Sequence, residues 1–338
     1  MTAFVQSVLT ELRLHQKNIP IIPKTIYLGG GTPTALSETH LATLLEGLRH
    51  SLDCSHLEEF GLEANPKTIG KSKATLLHKL GITRVSLGVQ AWDDPTLKLL
   101  GRDHAPGEAV ETYEILREAG IPSVNLDLMF SIPGLSLDVW KRGIEKTLSL
   151  KPDHVSCYNL TYEEDTDFLA RFRTGELDAS QDRDADHFFA AIDMLENAGY
   201  EHYEISNYAK PGHRSIHNQA YWLGADYLGL GPSAYSTHRR IRWKNAPDTT
   251  DYIRLLAEGR VPIVESEELD DRKWLFERVA LELRTAEGLP LSRVDASLSS
   301  NVDILLSEGL AVLKDQRLVL TRAGKPLLDS IAEMLLPD

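Results

Sequence analysis

Cysteine is almost absent: the 338 residues include only two, Cys54 and Cys157, far apart in the chain. That excludes a disulfide framework and a C-x2-C metal pair, and the plain reading is two small buried hydrophobes. Positive charge is also scarce, with 36 Lys and Arg against 50 Asp and Glu and a formal charge of -14. Such a field repels nucleic-acid backbones and anionic lipid surfaces, so no nucleic-acid partner is expected. No apolar run approaches the roughly 18 residues of a membrane span, and the first residues lack the basic-then-apolar order of a signal peptide. A cytoplasmic protein without a membrane span is the expectation. What is present, 42% hydrophobic and 25% charged residues, suits one large core with a smaller appended domain.

Short β-like runs alternate with helical patterns. The runs are "KTIYLGG" (24–30), "EEFGLEANP" (58–66), "RVSLGVQA" (84–91), "VNLDLMF" (124–130) and "HVSCYNLT" (154–161). Between them Leu41, Leu44, Leu45 and Leu48 share one helical face, as do Leu76, Leu77 and Leu80 before Gly81, and Ile115, Leu116 and Ala119 before Gly120. Alternation of this kind predicts βαβ units on a parallel sheet, a barrel or part of one. The N-terminal stretch 3–15 places Val5, Val8, Leu9 and Leu12 on one face of a helix that needs a sheet to cover it, yet no strand precedes it. The strand near Thr25 is therefore expected at an unpaired sheet edge. After about residue 200 the pattern changes. The acidic run "VESEELDD" (264–271) reads as a solvated linker and helix start, and the remainder as helices followed by a β-hairpin, the outline of a small winged-helix domain.

Strands of a parallel sheet are covered on both faces and read as apolar runs. Here Glu63, Gln90 and Asp127 interrupt them toward their C-terminal ends. A buried carboxylate without a partner costs several kcal/mol, so something polar is expected to meet these groups. The C-terminal strand ends of a barrel converge on one face, which places the three beside Gly29, Gly30 and Gly31. Consecutive glycines at a strand end let backbone N–H groups face an anionic or polar ligand group, with Thr32 able to donate and Pro33 fixing the turn. Phosphate, carboxylate or a plain tight turn all fit that pattern.

Taken together, "YLGGGTPTALS", "LEANPKT", "RVSLGVQAWDDPTLKLLGRDH", "VNLDLMFSIPG", "YEISNYAKPG", "HNQAYW" and "YLGLGPSAYS" resemble, in order and spacing, the oxygen-independent coproporphyrinogen III oxidase-like branch of the radical SAM proteins. "HNQAYW" points to its heme-chaperone (HemW-like) subgroup. The resemblance covers essentially the whole chain. It implies an α/β fold, a partial (β/α)6 TIM-like barrel lacking its first strand, with a small C-terminal winged-helix-like α+β domain. The implied divisions are 1–200 for the barrel core, 201–262 for the extension with "HNQAYW", and 263–338 for the C-terminal domain. It further implies S-adenosylmethionine at the strand C-termini beside a [4Fe-4S] cluster. On it Gly29, Gly30, Gly31 and Thr32 would hold the amino end, with Glu63 nearby. Gln90 and Asp127 would bond the ribose hydroxyls, Arg102 would face the methionyl carboxylate, and residues around Tyr158 and Leu160 would flank the adenine. His217, Asn218, Tyr221 and Trp222 would belong to a heme-associated region. Ser233 and Tyr235 stand where this family commonly reads glycine and histidine.

The family's C-x3-C-x2-C motif, whose thiolates hold three irons of the cluster, has no counterpart among these residues. It would belong upstream of Phe4, just before the helix that lacks its strand, so a truncated radical SAM protein is the economical expectation and a cluster-free homologue the alternative. As written, the chain is expected neither to hold the cluster nor to cleave S-adenosylmethionine reductively. The expected function is a heme chaperone that binds heme and passes it to apoproteins, with an electron donor as a further partner. The alternatives are an oxygen-independent coproporphyrinogen III oxidase of porphyrin biosynthesis, a cluster-free ligand-binding homologue, and an unrelated barrel enzyme with a phosphate at Gly29–Gly31.

Overall fold

The computed structural model describes residues 1–161, 167–174 and 181–336. Seven strands, β1 (Thr25–Leu28), β2 (Glu59–Ala64), β3 (Arg84–Gln90), β4 (Ser123–Phe130), β5 (His154–Asn159), β6 (Glu201–Glu204) and β7 (Asn207–Ala209), form one sheet in the order β1-β2-β3-β4-β5-β7-β6. Neighbours from β2 to β5 run parallel, and β7 is antiparallel to both β5 and β6. The first five match the sequence expectation within a few residues, and β1 ends the sheet as expected. Helix α1 (Thr2–His15) precedes β1, and α2 (Glu38–Ser51), α3 (Lys71–Lys79), α4 (Asp94–Leu99) with α5 (Pro106–Glu118), α6 (Leu137–Leu150), and α7 (Asp167–Arg173) with α8 (Gln181–Asn197) fill the successive connections from β1 to β6. Gly81 and Gly120, both at φ +84°, close α3 and α5 in the left-handed turn that a side chain resists.

By compactness the chain divides into two units. One comprises Met1–Tyr27, Ala35–Phe60 and Ser215–Asp338; the other comprises Leu28–Thr34 and Gly61–Arg214. In the second unit the sheet register sorts side chains into two sets. Leu62, Val85, Leu87, Val124, Leu126, Leu128, Val155 and Cys157 fall in one set and are all buried. The other set is polar: Glu63 pairs with Ser86, Ser86 with Asn125 and Asn125 with His154, while Gly88 pairs with Asp127 and Asp127 with Ser156. Because side chains alternate along a strand, the strands carry one apolar face and one polar face rather than the two apolar faces of an open parallel sheet.

The first unit corrects two expectations. The apolar stripe of α1 is buried, but helices cover it: α2, through a face bearing Leu41, Leu44, Leu45 and Leu48, and α10 (Thr249–Ala257). In the C-terminal half of α1 the fully buried Glu11 accepts hydrogen bonds from Gly231 N (2.9 Å), Asn245 Nδ2 (2.5 Å) and Tyr252 Oη (2.5 Å). Burial, and next the Glu11 charge, push the Tyr252 hydroxyl pKa well up. The acidic run is no linker either. Ile263–Glu268 is a strand, β10, at the edge of a sheet ordered β10-β9-β8, with β8 at Tyr235–His238 and β9 at Ile241–Asn245. All six β10 residues are exposed, and pairing across Glu265↔Lys244 and Glu267↔Arg242 places opposite charges side by side, which offsets the low strand propensity of Glu.

Helix α9 (Ile216–Trp222) precedes this sheet, and α11 (Asp271–Leu283), β11 (Leu289–Pro290), α12 (Ser299–Ser307), β12 (Ala311–Lys314), β13 (Arg317–Leu320) and α13 (Leu328–Met334) complete the chain. The hairpin expected after two helices is β12–β13, joined by β11 into a three-stranded sheet. No helix among the described residues is long and apolar enough to cross a membrane. Ser233 sits at φ +59°, a conformation that costs a side chain but not glycine, at the position where the resembled family reads glycine. Ser233→Gly is expected to raise stability by about 0.5–1 kcal/mol in urea denaturation, and a loss would show that the serine side chain makes a compensating contact.

Candidate functional site

The glycine loop opens the site. Gly29, Gly30 and Gly31 are exposed, Gly30 has φ +77°, and a Cβ built on Gly30 or Gly31 would meet no protein atom within 4 Å. Gly30 answers to its backbone angle. Gly31 answers to nothing in the protein, which is what a loop approached by a ligand would show.

What fixes this loop is a turn that sequence reasoning passed over. Asn65 Nδ2 donates to Thr32 Oγ1 (2.8 Å), the Thr34 and Thr68 hydroxyls are 2.6 Å apart, and Lys73 Nζ donates to the carbonyls of Thr34 (2.6 Å) and Thr68 (2.9 Å). The same turn reaches the next loop, because Lys67 Nζ donates to the Asp103 carbonyl. His104 then bonds the Val89 carbonyl at 3.1 Å, one residue before Gln90. Thus "NPKT" ties the glycine loop to the segment that carries Arg102. The quoted motif was the only available signal; its side-chain reach was not visible in it.

Gln90 is a backbone outlier. It has φ +66°, lies just after the register shift in β3, and is spanned by a hydrogen bond from Ala91 N to Val89 O (2.9 Å), a γ-turn. A residue other than glycine in this conformation stores of order 1–3 kcal/mol, and such strain clusters at functional positions. Its amide is held close: a Cβ on Gly88 would stand 3.0 Å from Gln90 Nε2 and 3.1 Å from Asn65 Oδ1. Gly88 therefore has to be glycine for these two side chains to lie where they do.

Asp127 is half-buried between leucines. Ser86 Oγ donates to one carboxylate oxygen (2.7 Å) and Asn125 Nδ2 to the other (2.7 Å). Burial raises its pKa, while bonds from Ser86, Asn125 and Ser156 and the charge of Arg102 oppose the rise without cancelling it. Glu63 is half-buried in the strand row that holds Ser86 and Asn125. Gly29, Gly30, Gly31, Thr32, Glu63, Gln90, Arg102 and Asp127, the residues expected around S-adenosylmethionine, all lie in the second unit.

The four residues singled out in "HNQAYW", His217, Asn218, Tyr221 and Trp222, divide. They lie on α9, which Ser215 caps and whose first N–H groups meet the buried Glu59: Ile216 N donates at 3.1 Å and His217 N at 3.2 Å. A carboxylate there is favoured by the unpaired N–H groups of the helix start. His217 stacks on Tyr27 (ring centroids 4.9 Å apart, 17° between planes), Tyr221 meets it edge-on at 5.0 Å, and Tyr227 lies 4.6 Å from Tyr221. Thr25 Oγ1 is 2.8 Å from His217 Nδ1. Burial lowers the His217 pKa, so the ring is neutral near pH 7, and burial pushes the Tyr221 hydroxyl up to about 12. Trp222 points elsewhere: it is buried, its carbonyl accepts from Arg278 Nη1 (3.2 Å), and Arg284 lies over its ring at 5.7 Å. Asn218 contributes its backbone N–H to the Ser215 cap. Tyr27, Tyr227, Thr25 and Glu59 were not anticipated, because nothing local in the sequence links them to residue 217.

Donor chemistry separates the two implied cofactors. The glycine loop, a diol-sized carboxylate partner and an Arg fork fit S-adenosylmethionine. The cysteines do not fit an iron–sulfur cluster: Cys54 and Cys157 lie in different units, burial pushes the Cys157 thiol far up, and no group of three or more His, Cys, Asp or Glu that could hold a metal occurs among the described residues.

Residues 7–145 match the family model of the radical SAM superfamily, whose members as a class use S-adenosylmethionine and a [4Fe-4S] cluster. Heme chaperone HemW of Escherichia coli strain K12 is 39% identical over 328 residues, spanning 93% of this chain and 84% of that protein. Heme chaperone HemW of Lactococcus lactis is 33% identical over 324 residues, spanning 93% and 85%. The chain belongs to the HemW family of radical SAM proteins. The coproporphyrinogen III oxidase HemN of Escherichia coli, a radical SAM enzyme, superposes with a TM-score of 0.83 over 98% of this chain and 82% of that one at 21% identity. That likeness shows the fold, a curled half-barrel sheet accompanied by smaller antiparallel sheets.

Proposed function

We propose that this protein is a heme chaperone that binds heme at α9 and S-adenosylmethionine at the strand ends of its second unit, and passes heme to apoproteins. Similarity over 93% of the chain to proteins named heme chaperones supports the reading. The observation that carries it is His217: a neutral imidazole between Tyr27 and Tyr221, with Nδ1 engaged by Thr25 and Nε2 without a partner among the described residues. Neutral imidazole flanked by aromatic rings is suited to ligate heme iron and to pack against a porphyrin. S-adenosylmethionine supplies a ribose diol, an α-amino carboxylate and a sulfonium. Asp127 and Gln90 answer the diol, Arg102 the carboxylate, and the Gly29–Thr32 loop, with Glu63 beside it, the amino end. We assign 1–200 to the barrel core, 201–262 to the heme-associated extension and 263–338 to packing or partner contact, in a cytoplasmic protein.

Titrating ferric heme into the full chain and reading the absorbance near the Soret band tests the heme assignment. Saturation near one heme per chain is expected, with His217→Ala weakening binding by about tenfold or more and removing the ligand-dependent band shift. Unchanged binding and spectrum in His217→Ala would overturn it. Transfer of bound heme to an apoglobin, followed by the growth of the globin spectrum, tests delivery.

A further inference from the structure

Behind Asp127 runs a chain of buried hydrogen bonds that the ligand contacts do not use. Tyr203 Oη is 2.7 Å from His154 Nε2, and His154 Nδ1 is 2.7 Å from Asn125 Oδ1. Asn125 Nδ2 lies 2.7 Å from Asp127 Oδ1, 2.6 Å from Ser86 Oγ and 3.0 Å from Ser156 Oγ. Tyr203, His154, Asn125, Ser156 and Ser86 are all buried.

Donor and acceptor chemistry orients this chain in one direction. Nδ2 of Asn125 faces a carboxylate and two hydroxyl oxygens, so the amide is placed with nitrogen toward Asp127 and oxygen toward His154. Its oxygen then requires the proton of His154 to be on Nδ1, which leaves Nε2 to accept from the Tyr203 hydroxyl. Every donor from Tyr203 onward points toward Asp127, and bonds aligned in this way polarise one another in a dry interior. Burial, aided by the charge of Arg84, keeps the His154 pKa well below its ordinary value, consistent with the neutral tautomer.

We propose that Tyr203, His154 and Asn125 are positioning residues that hold the Asp127 carboxylate ionised and aimed at its ligand. The proposal rests on the reading of Asp127 as the partner of the ribose hydroxyls. Two apolar strands, residues of similar size and no polar groups would have packed this interior with less desolvation. The polar chain ends on the Asp127 carboxylate. Of the groups facing Asp127, Cys157 and Tyr158 are pushed well up by burial and by Asp127 itself, and Arg102 supplies a positive charge. Glu63 lies in the adjoining row of the sheet, one residue pair removed from the Gly88–Asp127 pair.

Two measurements on the full chain decide it. In carbon-13 NMR of aspartate-labelled protein without ligand, Asp127 is identified by its loss in Asp127→Asn. Its titration midpoint is expected to move up by about one unit in Asn125→Leu, as a charge-assisted bond is lost, and by less in Tyr203→Phe. In calorimetric titration with S-adenosylmethionine, Asn125→Leu is expected to bind about tenfold more weakly at pH 7.5, and Tyr203→Phe about threefold. A carboxylate with a raised pKa loses its charge as pH falls, so binding by Asn125→Leu should begin to fall at a higher pH than binding by the parent. A purely structural role would lower the melting temperature and leave the midpoint and the pH profile alone, which overturns the proposal. Failure of the parent chain to bind S-adenosylmethionine would overturn the ribose reading instead, and the ligand-free titration would still decide whether the chain governs Asp127.

Discussion

Asp127→Asn is expected to bind S-adenosylmethionine about 100-fold more weakly than the parent chain and to melt at the same temperature or higher. The binding loss follows from replacing an ionised acceptor of two hydroxyl donors by a neutral amide, half of which cannot accept at all. The stability half follows from the direction of the pKa. Burial raises the Asp127 pKa above its unfolded value, so the stabilisation is complete in acid and is lost as pH rises through the folded value. Above that value the native state carries the cost of an ionised carboxylate, and the amide removes it. Calorimetric titration together with thermal melting at pH 7.5 checks both halves. A variant that binds normally removes Asp127 from the site, and one that binds poorly because it melts well below the parent makes the residue structural.

Glu11→Ala is expected to cost about 3–5 kcal/mol, the range for removing one member of a fully buried, charge-assisted set. Gly231 N and Tyr252 Oη lose the acceptor Glu11 supplies, and Asn245 Nδ2 keeps only its bond to the Gly231 carbonyl (2.9 Å). They belong to a loop, to β9 and to α10, so the carboxylate fastens α1 to three places in its unit. Adding Tyr252→Phe to Glu11→Ala should recover part of the loss, because one stranded donor disappears. Urea denaturation of the two single variants and the double variant measures the coupling. A cost below about 1 kcal/mol for Glu11→Ala would mean that water enters and replaces the carboxylate.

The strands β1 to β5 were legible because apolar runs bounded by Gly and Pro leave few other readings. Glu63, Gln90 and Asp127 were legible for a related reason: strong polarity inside an apolar run is costly enough to demand a cause. Asn125, Ser86, Ser156 and His154 failed that test. Serine, asparagine and histidine are ordinary residues almost anywhere, and only the register Ser86↔Asn125↔His154 reveals that they share a face with Asp127. The strand β10 was hidden by composition, since glutamates predict loop or helix until Lys244 and Arg242 are placed opposite them. The covering of α1 was misread because an amphipathic stripe states that a partner exists and not whether it is helix or sheet. Tyr27 and Tyr227 meet the α9 aromatic pair only through tertiary structure.

The acidic edge formed by β10 has a consequence for how copies of this protein behave toward one another. An edge strand exposes a row of unpaired backbone groups on which another chain's strand can grow. Here that row is flanked by Glu265, Glu267 and Glu268, and Lys273 holds the Glu267 pKa below the usual carboxylate range. Two such edges brought together would set carboxylates against carboxylates, so crowding favours separate molecules. The same charges that hid the strand from a sequence reader work as a guard against fibrous self-association, and the guard weakens in strong salt or acid, where repulsion is screened or neutralised.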